Sequence, residues 1–124
     1  MNRQTGADRG NFLAWQWSDY PSKHRNPGNL VIHIVAVPLF MLGCVGAVVG
    51  LLALAPVKIA WSVGMMIAAV VLEGVGHRLE PEQPAPFDSF PDFVKRFFVE
   101  QWVTFPRFVV SGGYVRNLTG RAGP

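Results

Sequence analysis

The chain has 124 residues, half of them hydrophobic and only 15% charged, with a net charge of +3. A soluble domain carries roughly 25% charged residues, so the apolar content excludes a disordered chain, and the single Cys44 excludes a disulfide scaffold or a two-cysteine metal or redox motif. Eleven Lys/Arg against eight Asp/Glu are too few and too scattered for a nucleic-acid surface; they flank apolar segments instead, as in membrane proteins.

In chain order, Asn11 to Tyr20 reads NFLAWQWSDY, an aromatic, weakly charged stretch suited to a membrane–water interface. With the loop behind it, it forms an interfacial segment over 12–29. Asn26-Pro27 is a helix-start signature, Asn26 as N-cap and Pro27 at the first helical position. Residues 30–55 then run apolar except for His33 and Cys44, longer than the roughly 20 residues that span a bilayer core. Pro38 should kink this helix or end its first turns. Ala55-Pro56 breaks it, and a second apolar run follows over 57–76, with Lys58 at its mouth and Glu73 near its far end. The first run begins too late and is too long for a signal peptide; a soluble helical core is the alternative reading. Gly43, Gly46 and Gly50 offer a small-residue face for helix packing. Pro81 to Pro91 reads as a loop. Over 93–111, Val94, Phe98, Trp102, Phe105 and Val109 recur at helical spacing with Arg96, Glu100 and Arg107 opposite, which predicts an interfacial amphipathic helix kinked at Pro106 and ended by Gly112-Gly113. Residues 117–124 are expected to fray. The fold class is therefore all-α: a single membrane domain over 1–124, an antiparallel transmembrane hairpin flanked by interfacial amphipathic helices. Basic residues divide as four before the hairpin, one in its turn and six after it, which puts both termini in the cytoplasm. The oligomeric state is not legible.

The chain has three histidines, His24, His33 and His77. Counted outward from the turn, His33 and His77 both lie roughly 32 Å away at 1.5 Å per residue, so an antiparallel hairpin brings them to one depth at the cytoplasmic rim. His24 lies just upstream of the first helix and is free to fold back. Asn29 and His33 share a helix face at i,i+4, as do Glu73 and His77, with Glu80 three residues on. Imidazole is the commonest metal ligand, and imidazole with carboxylate suits non-haem iron or zinc. A carboxylate within a spanning segment is costly and calls for a partner, which makes Glu73 informative. Each residue also has a plainer reading: a hydrogen-bonding rim histidine, a carboxylate paired with Lys or Arg, or, for Glu80, a solvated side chain. Arg78 suits a bidentate carboxylate contact or a headgroup anchor.

These residues carry a resemblance. Residues 17–39, WSDYPSKHRNPGNLVIHIVAVPL, and 73–85, EGVGHRLEPEQPA, resemble the yeast-type 2-hydroxy fatty acid dioxygenase family, small multi-helix membrane proteins long catalogued as a domain of unknown function, in a bacterial-type form. Tyr20, His24, Asn26-Pro27, Asn29, His33 and Pro38 match its first motif, and Glu73, Gly76-His77, Glu80 and Pro84-Ala85 its second. Ala36 stands where the family usually has Gly. The family's acidic residue usually follows the histidine by four, whereas Glu80 follows by three, so Glu80 and Glu82 both remain candidates. The family's usual fourth crossing is reduced here to the interfacial segment.

The resemblance implies an iron(II)-dependent membrane dioxygenase that shortens 2-hydroxy fatty acids by one carbon with O2. It implies His24, His33 and His77 as metal ligands and Asn29, Glu73 and Glu80 as orienting residues or possible ligands, while Arg78, beside His77, is placed at the substrate carboxylate by its own chemistry. A bacterial member would sit in the inner membrane, its partners the lipid bilayer, the fatty acid and O2, with no nucleic acid. A haem or other metal binder, a zinc hydrolase, and a non-catalytic membrane scaffold are the competing readings.

Overall fold

A computed structural model describes residues 10–120, which are helical, with no strand among them. The helices are α1 (Phe12–Asp19), α2 (Pro27–Leu52), α3 (Pro56–His77), α4 (Phe90–Val99), α5 (Phe105–Val110) and α6 (Gly113–Leu118). A 3-10 turn, Pro21–Lys23, follows α1, and a π-helical turn, Glu100–Thr104, joins α4 to α5. The chain divides into two compact units. One is Gly28–Leu79; the other combines the flanking segments, Met1–Pro27 and Glu80–Pro124.

The first unit is the hairpin of α2 and α3. Its first helix runs unbroken through Pro38 but ends at Leu52, three residues short of the expected Ala55. The cause is local. Ala55 precedes Pro56, which disfavours the α conformation, and it is extended at φ −111°, ψ 89°. The chain closes the helix with a Schellman pair: the Leu54 amide donates to the Leu51 carbonyl at 3.2 Å and the Ala55 amide to that of Gly50 at 2.9 Å. This motif needs a left-handed residue, usually glycine; here Leu54 takes it, with φ +52°.

The predicted small-residue face packs as expected. A methyl group on Gly43 would sit 2.8 Å from the Ser62 carbonyl and 2.6 Å from Met66, one on Gly46 would overlap the Ser62 side chain, and one on Gly50 would lie 2.9 Å from Ile59. With these gaps absent, the helices approach closely. Ala36, Val37, Phe40 and Ala69 are buried between them. Gly76 receives the Asn29 side chain, whereas Gly74 and Gly64 face open space.

In the second unit Arg96 is buried, as are Asp92, Gln101 and Thr104, while Phe90, Phe98, Trp102 and Val103 are exposed. Several of the buried polar groups are hydrogen-bonded inside. Gln16 donates to the Arg96 carbonyl at 3.0 Å and accepts a very short hydrogen bond from Thr104. The Arg96 guanidinium donates to the carbonyls of Ala85 and Pro86 at 2.8 and 3.1 Å. It also lies over the Trp15 and Phe87 rings, 5.2 and 4.1 Å from their centroids. Arg96 thus pins the predicted proline-rich loop. Ser89 starts α4, accepting from the Asp92 amide at 3.2 Å, while Asp92 accepts from that of Asp88 at 3.0 Å, a reciprocal cap.

At Pro106 the helical run from Phe90 to Val110 stays continuous but changes its hydrogen-bond register. The proline has no amide hydrogen and its ring crowds the carbonyl four residues back. The chain responds with a π turn, in which the Phe105 amide bonds the Glu100 carbonyl. The expected fraying from residue 117 is also corrected. α6 runs to Leu118 and Asn117 is buried; residues 121–124 lie outside the described residues.

Candidate functional site

In the hairpin, His33 lies on α2 and is completely buried. Its Nδ1 is 3.0 Å from the Asn29 carbonyl oxygen. A carbonyl only accepts, so Nδ1 carries the proton and Nε2 of the neutral ring keeps its lone pair. The expected Asn29–His33 pairing therefore runs through the Asn29 backbone, and the Asn29 side chain instead covers Gly76. Nε2 of His33 lies 3.2 Å from Oε1 of Glu73 on α3, and Glu73 is itself buried. The carboxylate meets His33 across the hairpin, rather than only sharing a face with His77. His77, the last residue of α3, sets its ring at 90° to that of His33 with centroids 5.1 Å apart. The depth count from the turn thus brings His33 and His77 together.

The other unit holds His24 in the same manner. Its Nδ1 is 2.8 Å from the Tyr20 carbonyl oxygen, so again Nδ1 carries the proton and Nε2 the lone pair. Nε2 lies 3.3 Å from Oε2 of Glu100. The Tyr20 phenol donates to the same Oε2 at 2.7 Å, and its ring stacks on the imidazole with centroids 3.6 Å apart. Phe108 closes this group edge-on to Tyr20 at 5.1 Å. Burial lifts the phenol of Tyr114, packed against Phe108, above its ordinary range, so it stays neutral at physiological pH.

Glu80 is no solvated side chain. It is buried and accepts from the Arg25 amide at 2.8 Å and the Asn26 amide at 3.0 Å, fixing the chain directly after His24. Glu82 is more than half exposed and lies 3.7 Å from Lys23. Arg78 caps α3 through its backbone amide and is exposed.

A lone pair on Nε2 and a carboxylate oxygen at 3.2–3.3 Å repel unless a positive charge lies between or beside them. A proton or a metal cation meets that need, and the imidazole–carboxylate donor set fits non-haem iron or zinc. Among the described residues, His33 and His77 in the hairpin and His24 and Glu100 in the other unit offer the ligand types that could hold a metal ion. Glu100 is the residue that sequence reasoning missed. Its signal was a carboxylate set in an aromatic run, FFVEQWV, where the solvated face of a surface helix was the simpler interpretation.

A family model described as 2-hydroxy-palmitic acid dioxygenase Mpo1-like matches residues 11–107. The chain belongs to the Mpo1-like family. No curated protein and no solved structure matches it. The match spans His24, His33, His77, Glu73, Glu80 and Glu100, and it stops short of Asn117. In this Mpo1-like protein Asn117 nonetheless donates from Nδ2 to two carbonyls, that of Pro21 at 3.0 Å and that of His24 at 2.8 Å.

Proposed function

We propose that this Mpo1-like protein is an iron(II)-dependent membrane dioxygenase that shortens 2-hydroxy fatty acids by one carbon. The observation that carries the reading is the repeated imidazole arrangement: Nδ1 locked on a backbone carbonyl, Nε2 aimed beside a carboxylate. In metal sites, a hydrogen bond from the second ring nitrogen fixes the tautomer and raises the basicity of the ligating nitrogen. His24, His33 and His77 are assigned as ligands to one ion, with Glu100 as a fourth candidate. Glu73 serves as the carboxylate beside His33, and Glu80 as the anchor of the His24 loop. Iron(II) would supply the electron chemistry that couples O2 to the hydroxy acid. The chain's own part is to fix three imidazoles, to exclude water by burying His24 and His33, and to offer Arg78 at the rim for the substrate carboxylate.

The membrane assignment draws on the hairpin. α2 and α3 are long and apolar enough to cross a bilayer. The most apolar stretches of the two helices are only 28% and 22% buried within the fold, unlike the core helices of a soluble protein. Val35, Leu42, Val48, Leu51, Trp61, Ile67 and Val71 all face outward, a continuous apolar surface that calls for lipid. In the second unit Phe90, Phe98, Trp102 and Val110 are exposed as well, which fits the same solvent. With both termini cytoplasmic, the histidines lie at the cytoplasmic rim and the acyl chain in the bilayer; in a bacterium this is the inner membrane.

The test is direct. Purified protein is loaded with iron(II) without oxygen, mixed with a 2-hydroxy fatty acid and then exposed to air. The expected result is the one-carbon-shorter acid, absent without iron or with zinc in its place. Stoichiometric iron with no product would point to another reaction, and a protein that takes up no metal would support the scaffold reading.

A further inference from the structure

His24 differs from its two partners in one physical respect: it lies on a loop rather than within a long helix. Here the 3-10 turn before His24 is closed by two backbone bonds, the Lys23 amide on the Tyr20 carbonyl at 3.1 Å and the longer His24 amide on the Pro21 carbonyl at 3.3 Å. The Pro21 carbonyl accepts this long bond and has a second lone pair, and the His24 carbonyl follows it at the end of the turn. Both find the same donor, the side-chain amide of Asn117. Two hydrogens on one nitrogen bridge the two carbonyls and staple the turn shut. An aspartate of the same shape has no hydrogen to give.

The rest of the tail supports the staple. Gly112 turns the chain between α5 and α6 with φ +88°. Gly113 lies so close to Phe108 that a methyl group there would be 2.6 Å from its ring. Phe108 in turn packs on Tyr20 and, at 6.4 Å between centroids, on the His24 ring. The segment after residue 107, beyond the family match, thus touches the His24 loop twice.

We propose that Asn117 is a positioning residue for His24, and that α6 is part of the machinery that holds the metal rather than a structural tail. This inference rests on the assignment of His24 as a ligand. It predicts that Asn117 governs metal affinity through His24 and through nothing else.

The test uses the full-length chain in detergent, stripped of metal and titrated with cobalt(II), whose visible bands report ligand geometry. Asn117→Ala should weaken cobalt binding by about 10–100-fold, the usual cost of losing an orienting partner, and should alter the bands. Thr119→Ala, which removes an exposed bond to the Val115 carbonyl in the same tail, should change neither. In a His24→Ala background, Asn117→Ala should add no further loss, because the group it positions is gone. If Asn117→Ala fails to fold, as judged by helical circular dichroism, the isosteric Asn117→Asp takes its place with the same expectation. Native cobalt affinity in a folded Asn117 variant overturns the inference while leaving His24 a ligand. An equal Asn117 effect with and without His24 overturns it too, by showing a general structural role. Native affinity in His24→Ala alone overturns both the ligand assignment and the inference built on it.

Discussion

Replacing His33 or His77 by alanine removes a nitrogen from the pair whose rings sit 5.1 Å apart. Either change should abolish bound iron and product formation in protein that remains helical, measured by metal analysis after gel filtration. Glu73→Gln keeps the shape and one acceptor beside Nε2 of His33 but loses the charge. It should weaken metal binding by about 10–100-fold. Loss as complete as in His77→Ala would make Glu73 a ligand. Glu80→Ala should act through the backbone, freeing the amides of Arg25 and Asn26. At this scale the sequence was partly transparent. The equal depth of His33 and His77 follows from helix rise and a proline-marked turn, both local quantities. Glu100 and Asn117 were hidden because their importance comes from hydrogen bonds to partners 80 or more positions away, which no local period encodes.

Among the elements, the α2–α3 turn carries a strained residue. Leucine in the left-handed region costs roughly 1–2 kcal/mol, and Leu54 is largely exposed, so little packing compensates. Leu54→Gly should raise stability by about 1 kcal/mol, read as a shift in the thermal or denaturant midpoint in detergent; a lower midpoint would mean the leucine side chain anchors the turn. The helix seam makes a paired prediction. Gly64→Ala, facing open space, should gain about 1 kcal/mol of helix propensity. Gly43→Ala gains the same propensity but drives a methyl group against the Ser62 carbonyl, and should cost about 1–3 kcal/mol net. Equal effects at both sites would refute close packing at Gly43. The two long helices were legible because run length and proline placement suffice to mark them. The periodicity of the 93–111 segment is real, but a 3.6-residue pattern separates two faces without saying what each one meets, and here Arg96 and Gln101 are buried while Phe98 and Trp102 are exposed.

For the whole molecule, orientation is the accessible test. Reporter fusions after residue 56 and after the last residue should report opposite sides of the membrane, the latter cytoplasmic. The same side for both would refute a hairpin that spans twice. The all-helical class was readable from composition and run length. The division into two units was not, because the segments before and after the hairpin are joined by contacts such as Gln16 to Arg96 and Asn117 to Pro21, made by side chains with no sequence signature of their own.

That interrupted unit imposes an order on biosynthesis. The ribosome releases His24 early and its fasteners late: Glu80, then Glu100, and last Asn117, 93 residues downstream. At roughly 5–20 residues per second, the loop waits about 5–20 seconds for its final hydrogen bonds. Throughout that interval the hairpin can already be inserting, yet no nascent chain holds His24 in its finished setting. If His24 holds a metal as proposed, its finished setting exists only after residue 117 has left the ribosome, and a stalled product lacks it.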